Sequence, residues 1–269
     1  MTGRSVVRQL LQTFGLLDAA REARGVVASV PWVRDNWRFW RGGAPDSLPI
    51  PPLRLVRSST GTSSLQWLFE GGALAATSIS DILARNGAAI GTLDSVLDFG
   101  CGCGRVVRHW AGLRGAIHGC DYNPQSVRWC QRNLTFARFA VNDLHPPLPF
   151  DAGQFDLVYA LSVFTHLPEP LSSAWLDEMR RVLKPGRWLI LSTHGEAYLD
   201  DLSAEQQRTF HAGQAVVKHP ESAGTNRCGV YVSEGYLRRR FADGFRIVDF
   251  VPKGASGNPF QDLVLLQKS

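Results

Sequence analysis

The chain has 269 residues, 44% of them hydrophobic and 20% charged, with a formal net charge of +5. That length fits one large domain or a domain with a sizeable extension, and the composition is that of an ordinary globular protein. No run of about eighteen apolar residues is present to span a membrane, the arginines are scattered and form no nucleic-acid-binding patch, and five cysteines do not read as a disulfide framework.

The opening stretch, MTGRSVVRQLLQTFGLLDAAREARG, alternates Arg with Leu and Val and lacks an unbroken apolar centre. It reads as a helical start and not as a secretory signal, which places the protein in the cytoplasm. A Trp-rich stretch follows, VPWVRDNWRFWRGG, in which Trp32, Trp37, Phe39 and Trp40 interleave with Arg34, Arg38 and Arg41. Such a cluster either packs on its own domain or a partner subunit, or rests at a membrane surface. The proline-rich LPIPPLRL reads as a linker. Residues 1–70 are therefore expected as an extension, and 71–269 as the main domain.

From Ser95 onward short β-rich runs recur. SVLDFG ends at Gly100, AIHGCD at Asp121, ARFAVND at Asp143, FDLVYALS at Ser162 and RWLILSTH at His194. Between them GRVVRHWAGL, NPQSVRWCQRNL and EPLSSAWLDEMRRVLKPG show helical spacing, the last stopped by Pro185-Gly186. Strand alternating with helix predicts a parallel sheet covered on both faces. Residues 195–234 are too long for an ordinary connection and are expected to be a lid or a substrate-binding insertion. FRIVDFVP and DLVLLQK close the chain, and KGASGNPFQ between them suits an antiparallel hairpin. The expected architecture is α/β, a doubly wound seven-stranded sheet, mostly parallel, with a C-terminal antiparallel hairpin.

The loop after the first strand, within VLDFGCGCGRVVRHW, carries most of the chemistry. Glycines at 100, 102 and 104 let the backbone turn sharply and leave room for a ligand, in the crevice where open parallel sheets bind them. Cys101-x-Cys103 has no second pair at ligand spacing, so no metal is expected there. A dinucleotide fingerprint would need a third glycine at 105, where Arg105 stands, and this weakens a nicotinamide-dependent dehydrogenase. Asp121, about twenty residues on, can accept both hydroxyls of a ribose. Loop and carboxylate together predict a nucleoside-bearing cofactor.

These residues resemble those of the class I S-adenosylmethionine-dependent methyltransferases, whose sheet is Rossmann-like. VLDFGCGCGR looks like the family's first motif and GCDYNPQSV like its acidic second strand. VNDLHPPLPFDAGQFDLVYALSVFTHLP is similar to the third and fourth strands, and MRRVLKPGRWLILSTH to the lead into the fifth. The resemblance implies S-adenosylmethionine as cofactor, with Asp98, Gly100, Gly102 and Gly104 beside its methionine part and Asp121 on the ribose. It also implies that Asn142, Asp143 and Leu144 border the adenine and that Ser162 lies beneath the reacting carbon. Arg105 and Tyr122 complete the expected cofactor-binding set.

Methyl transfer from a sulfonium needs chiefly orientation, worth roughly 7–11 kcal/mol of a barrier, while a hydroxyl acceptor also profits from a base. His166 and His194, after the fourth and fifth strands, are the catalytic candidates. No Asn-Pro-Pro-Tyr or Asp-Pro-Pro-Tyr follows the fourth strand, and no Pro-Cys, which sets aside base, glutamine and cytosine-carbon methylation and leaves small molecules, sugars or lipids. Tyr198, His211, Asn226 and Tyr231 of the insertion suit a polar acceptor. Glu196, Asp200 and Asp201 could hold a divalent ion, though nothing in their spacing demands one. The layout of the N-terminal segment, insertion and closing hairpin looks like bacterial methyltransferases found with carbohydrate-modifying enzymes. The expected function is O-methylation of a small polar or carbohydrate-containing acceptor. The alternatives are N- or C-methylation of a small molecule or lipid, and a non-catalytic cofactor-binding module.

Overall fold

Short apolar runs bounded by turn residues become the strands β1 (Ser95–Phe99), β2 (Ala116–Asp121), β3 (Ala137–Val141), β4 (Phe155–Ala160) and β5 (Leu183–Thr193). They are followed by β6 (Val216–Lys218), β7 (Gly229–Tyr231), β8 (Phe245–Val251) and β9 (Asp262–Lys268). The computed structural model describes residues 30–240, 243–258 and 260–269. The opening stretch read as a helical, non-secretory start lies outside the described residues.

Seven strands make one sheet in the order β3-β2-β1-β4-β5-β9-β8, and β6 and β7 pair separately. Strands β1 to β5 run parallel, and β9 runs antiparallel to both β5 and β8. This is the expected Rossmann-like sheet with its C-terminal hairpin.

Helix α1 (Val33–Gly42) holds the Trp-rich stretch, with Asn36 and Phe39 buried and Trp37 and Trp40 exposed. Next come α2 (Leu53–Thr60) and the long α3 (Leu65–Arg85). The expected boundary at residue 70 therefore falls inside a helix. Later helices are α4 (Pro124–Asn133), α5 (Glu169–Val182), α6 (Ala204–His211) and α7 (Glu234–Arg240).

Successive residues of the central strands alternate between two cores. Leu97, Val158 and Leu189 pack with Trp175 and Met179 of α5, whereas Val96, Leu157 and Ile190 pack with Ile79 and Leu83 of α3. Both faces are buried, as parallel strands require.

Two local expectations fail for tertiary reasons. GRVVRHWAGL forms no α-helix but turns and a 3-10 segment, Val107–Trp110. His109, Ala111 and Leu113 N–H bond three residues back, to Val106, Arg108 and Trp110, and Arg108 N alone reaches four back, to Gly104 O at 3.4 Å, while the Arg108 side chain is drawn to Asp46 and the Trp110 indole donates to the Tyr159 hydroxyl at 2.9 Å. Pro185-Gly186 does not separate helix from strand either. β5 begins at Leu183, opposite Phe155, and a register shift before Trp188 absorbs the dipeptide.

Candidate active site

The carboxyl ends of β1, β2 and β4 open into a cavity of about 380 Å³. Gly100 and Cys101 start its floor, both N–H groups bonding the Cys120 carbonyl at 2.8 and 3.0 Å. Gly100 and Gly102 take positive φ of 82° and 53°. A Cβ at Gly102 would meet Ser59 at the end of α2, and one at Gly100 would meet Val163. Only glycine allows either approach.

Asp121 ends β2 with its carboxylate turned back under the loop. Oδ2 accepts from Gly102 N at 2.9 Å and Oδ1 from Asn123 N at 2.7 Å. Burial raises its pKa against the lowering effect of those two N–H groups. Asp98, one strand over, is 4% exposed, and burial pushes its pKa up to about 7 despite a bond from the Tyr159 hydroxyl. Its Oδ2 has no partner, and neither has the buried Oδ1 of Asn142, whose Nδ2 donates to Asp143 O at 2.7 Å. Two acceptor atoms of cavity-lining residues are thus buried and unmet, a cost of about 1–3 kcal/mol each unless a ligand supplies donors. Tyr122 and Leu144 add apolar surface that is exposed to the solvent side.

Most of the expected cofactor residues gather here. Asp98, Gly100, Gly102, Arg105, Asp121, Tyr122, Asn142, Asp143, Leu144 and Ser162 line the cavity. Gly104 does not, since it faces Leu134 and Cys130 beneath the loop. Arg105 lines the wall, yet its guanidinium is spent on protein. Nη1 donates to Gly71 O and Gly257 O at 3.0 and 2.9 Å, and Nη2 to Asn258 Oδ1 at 2.7 Å.

The two histidines part company. His166 lines the cavity and its Nδ1 sits 2.6 Å from the Cys228 carbonyl. A carbonyl only accepts, so Nδ1 carries the proton and Nε2 keeps the lone pair. Burial lowers its pKa, which keeps the ring neutral at pH 7. His194 does not line the cavity. It lies 4.3 Å from the Tyr198 ring and 5.1 Å from the Tyr231 ring, centroid to centroid. Burial, then the neighbouring His166, lowers its pKa to about 4.

Between His194 and the cavity stands Gln261, which the sequence reading did not single out. Its Nε2 donates to Ser162 Oγ at 3.0 Å and approaches His194 Nε2 at 3.4 Å, while its Oε1 accepts from Ser192 Oγ at 2.7 Å. Ser192 Oγ in turn accepts Ser162 N at 2.6 Å. This ring of bonds holds Ser162 at φ 58°, a left-handed conformation rare for serine.

Other wall residues also escaped the sequence reading. Ser58, Ser59, Thr60 and Gly61 come from the expected N-terminal extension, just past the proline-rich linker, Trp67 and Trp175 from helices, and Asn258 from the hairpin loop. Cys103 N donates to Ser59 Oγ at 3.1 Å and Asn123 Nδ2 to Ser58 Oγ at 3.2 Å, so the end of α2 rests on the glycine loop. A helix ending in a glycine, as SSTG does at Gly61 with φ 74°, was the available signal. Of the four insertion residues named for an acceptor, only Asn226 reaches the cavity. His211 is exposed at the end of α6. Among the described residues no group of three or more His, Cys, Asp or Glu is placed to hold a metal ion. All five cysteines are buried and unpaired.

Comparison with known proteins agrees with this geometry. Residues 96–186 match a family model described as a methyltransferase domain. The ubiquinone biosynthesis O-methyltransferase of Albidiferax ferrireducens is 30% identical over 106 residues, covering 36% of this chain and 40% of that enzyme. The match thus spans less than half of either sequence. A SAM-dependent methyltransferase structure from Methanosarcina mazei is 26% identical over 65% of this chain and 92% of its own, with a TM-score of 0.50. The fold is shared with a Burkholderia thailandensis N1-methyltransferase solved with S-adenosylhomocysteine, 19% identical over 72% of this chain and 78% of its own, TM-score 0.51. Residues 96–186 thus carry a methyltransferase domain, and the ordered motifs, the strand order and these likenesses together support a class I S-adenosylmethionine-dependent methyltransferase.

Proposed function

We propose that this chain transfers a methyl group from S-adenosylmethionine to a hydroxyl of a small polar or carbohydrate-containing acceptor, with His166 as the base. The residues present suit that cofactor. Asp121 has a carboxylate beside the glycine loop for ribose hydroxyls, and the unmet oxygens of Asp98 and Asn142 can accept from an ammonium and an amine. Tyr122 and Leu144 offer apolar surface to a base. The bound cofactor supplies a methyl already activated by its sulfonium, so orientation and exclusion of water are the main demands on the protein.

The observation that carries the oxygen acceptor is His166. Its Nδ1–H is fixed by the Cys228 carbonyl, so Nε2 is the nitrogen able to take the hydroxyl proton. Its lowered pKa keeps that lone pair available at neutral pH. A base must be unprotonated, so turnover falls as pH drops through the folded pKa, and the acid limb lies below the ordinary histidine value of 6.5.

Calorimetric titration with S-adenosylhomocysteine, and with NAD for contrast, checks the cofactor; binding of NAD instead, or of neither, overturns it. Labelled methyl transfer to a panel of sugar and alcohol hydroxyls then checks the reaction. His166→Gln is expected to lower turnover by about 10² to 10⁴-fold while leaving S-adenosylhomocysteine affinity within about threefold. Undiminished turnover in that variant would transfer the reading to an amine acceptor.

A further inference from the structure

Strand order divides the cavity. Asp121 and Asn142 lie over β2 and β3, on one side of β1, while Ser162, Gln261 and the hairpin loop lie over β4, β5 and β9 on the other. The charged wall residues without a protein cation beside them, Asp121 and Asp143, belong to the first side. On the second side the one ionised group is Arg105, and its bonds to Gly71, Gly257 and Asn258 occupy it.

Trp67 stands on that second side. It is drawn there because Arg105 ties Gly71, one turn further along α3, to Gly257 of the hairpin loop. A Cβ built on Gly71 would lie 3.2, 3.2 and 3.3 Å from Cδ2, Cε3 and Cε2 of Trp67. Three near-equal distances to atoms around the ring fusion mean that Gly71 sits over the face of the indole. One face thus lies on Gly71, and the residue lines the cavity.

The polar groups around it are uncharged, and their protein bonds fix what each has left. Asn258 Oδ1 takes Arg105, so the amide offers its N–H groups. Asn226 stands across the cavity, toward the first side, where its Nδ2 donates to Ser58 O at 3.4 Å and Ser58 Oγ in turn accepts from Asn123, so the amide offers Oδ1. Ser162 Oγ accepts from Gln261 and lies 3.4 Å from Thr165 Oγ1; with Thr165 as the donor of that weak contact, the Ser162 hydroxyl has its hydrogen to offer.

We propose that this side of the cavity is a sugar-ring subsite, in which Trp67 stacks on the C–H face of a neutral pyranose, Asn258 and Ser162 bond its hydroxyls, and Asn226 reaches one more from across the cavity. The assignment rests on the methyltransferase reading above and narrows its acceptor. An aromatic ring cupped by glycine favours a flat apolar face, and alternating donors and acceptors favour several hydroxyls on its edge. A phenol would stack equally well but would leave most of these amides and hydroxyls desolvated and unpaired, which sites of this kind reject strongly.

Saturation-transfer NMR on the full chain tests this, with methyl glycosides of common hexoses and 6-deoxyhexoses as probes, catechol as the contrast, and each run with and without S-adenosylhomocysteine. The expected result is saturation of glycoside ring C–H protons, reduced about tenfold in Trp67→Leu and several-fold in Asn226→Ala, with S-adenosylhomocysteine affinity by calorimetry held within about threefold in both. Saturation of catechol without the glycosides overturns the subsite, as does glycoside saturation untouched in both variants. Cofactor binding with no glycoside signal also overturns it. Glycoside binding in a chain that ignores S-adenosylhomocysteine would leave the subsite standing and sink the methyltransferase reading, so the two failures are separable.

Discussion

The β1–β2–β3 half of the cavity and its β4–β5–β9 half are built on different plans. In the first, the glycine loop, Asp121 and Asn142 sit within about fifty residues of sequence and bond mainly to one another's backbone. In the second, Trp67, His166 and Gln261 converge from three remote segments, and Gln261 is joined to Ser162 and His194 through side chains. A short-range frame suits a cofactor common to many reactions. A wall gathered from distant loops can change piece by piece, which suits an acceptor particular to one.

Asp98 in the first half and His194 beside the second are both strongly shifted titratable groups, and their shifts have opposite signs. Asp98 rises from 3.8 to about 7 in the folded chain. The native state then binds more protons than the unfolded one between those values, so stability is lost as pH rises through that window. His194 falls from 6.5 to about 4. Here the unfolded state binds more protons, and stability is lost as pH falls through 6.5 towards 4. Replacing each group by a neutral one removes its share of the slope. Relative to the parent, Asp98→Asn should gain stability as pH rises from 4 to 8, by about 4 kcal/mol over the range. His194→Gln should gain it as pH falls from 7 to 4, by about 3 kcal/mol. Urea melts of the ligand-free protein across pH read both, and slopes of the same sign would break the contrast.

The second test cuts the first half alone. Asp121→Ala strands the N–H groups of Gly102 and Asn123 and removes the carboxylate offered to a ribose. Charge-assisted hydrogen bonds are worth about 1.5–3 kcal/mol each, so S-adenosylhomocysteine affinity should fall about 100-fold or more by calorimetry. In the same variant, glycoside saturation should persist. Parallel loss of both ligands would show that the halves act as one.

The contrast also explains what could be read from the sequence. Glycines at 100 and 102, with Asp121 at the next strand's end, form a pattern of local spacing, and the strands around them are short apolar runs that identify themselves. Trp67 and Ser58 could not be read in this way, because their placement depends on α2 and α3 folding back over the glycine loop. The stretch just past the proline-rich linker, inside the expected extension, carries part of the wall. His194 shared its sequence context with His166, at the carboxyl end of a parallel strand. Only the arrival of Gln261 from the hairpin, between His194 and the cavity, tells the two apart. The missing helix after Gly104 is a similar case, since helical spacing in GRVVRHW yields to the pull of Asp46 on Arg108 and of Tyr159 on Trp110.

Arg105 joins the two halves, and it gives the smallest and most discriminating test. Its position invites a cofactor-binding role, yet its guanidinium bonds Gly71 O, Gly257 O and Asn258 Oδ1, fastening α3 to the hairpin loop. A lysine keeps the charge but cannot span three acceptors with one ammonium. Arg105→Lys should therefore cost about 2 kcal/mol of stability, a fall in Tm of about 4–8 °C for a chain of this size. It should change S-adenosylhomocysteine affinity less than about threefold, because no donor is withdrawn from that half. Glycoside binding should weaken more, since Trp67 and Asn258 lose their common anchor. The reverse pattern, an unchanged Tm with a tenfold loss of S-adenosylhomocysteine affinity, would return Arg105 to the cofactor and make the loop, not the clasp, the reason for an arginine at this position.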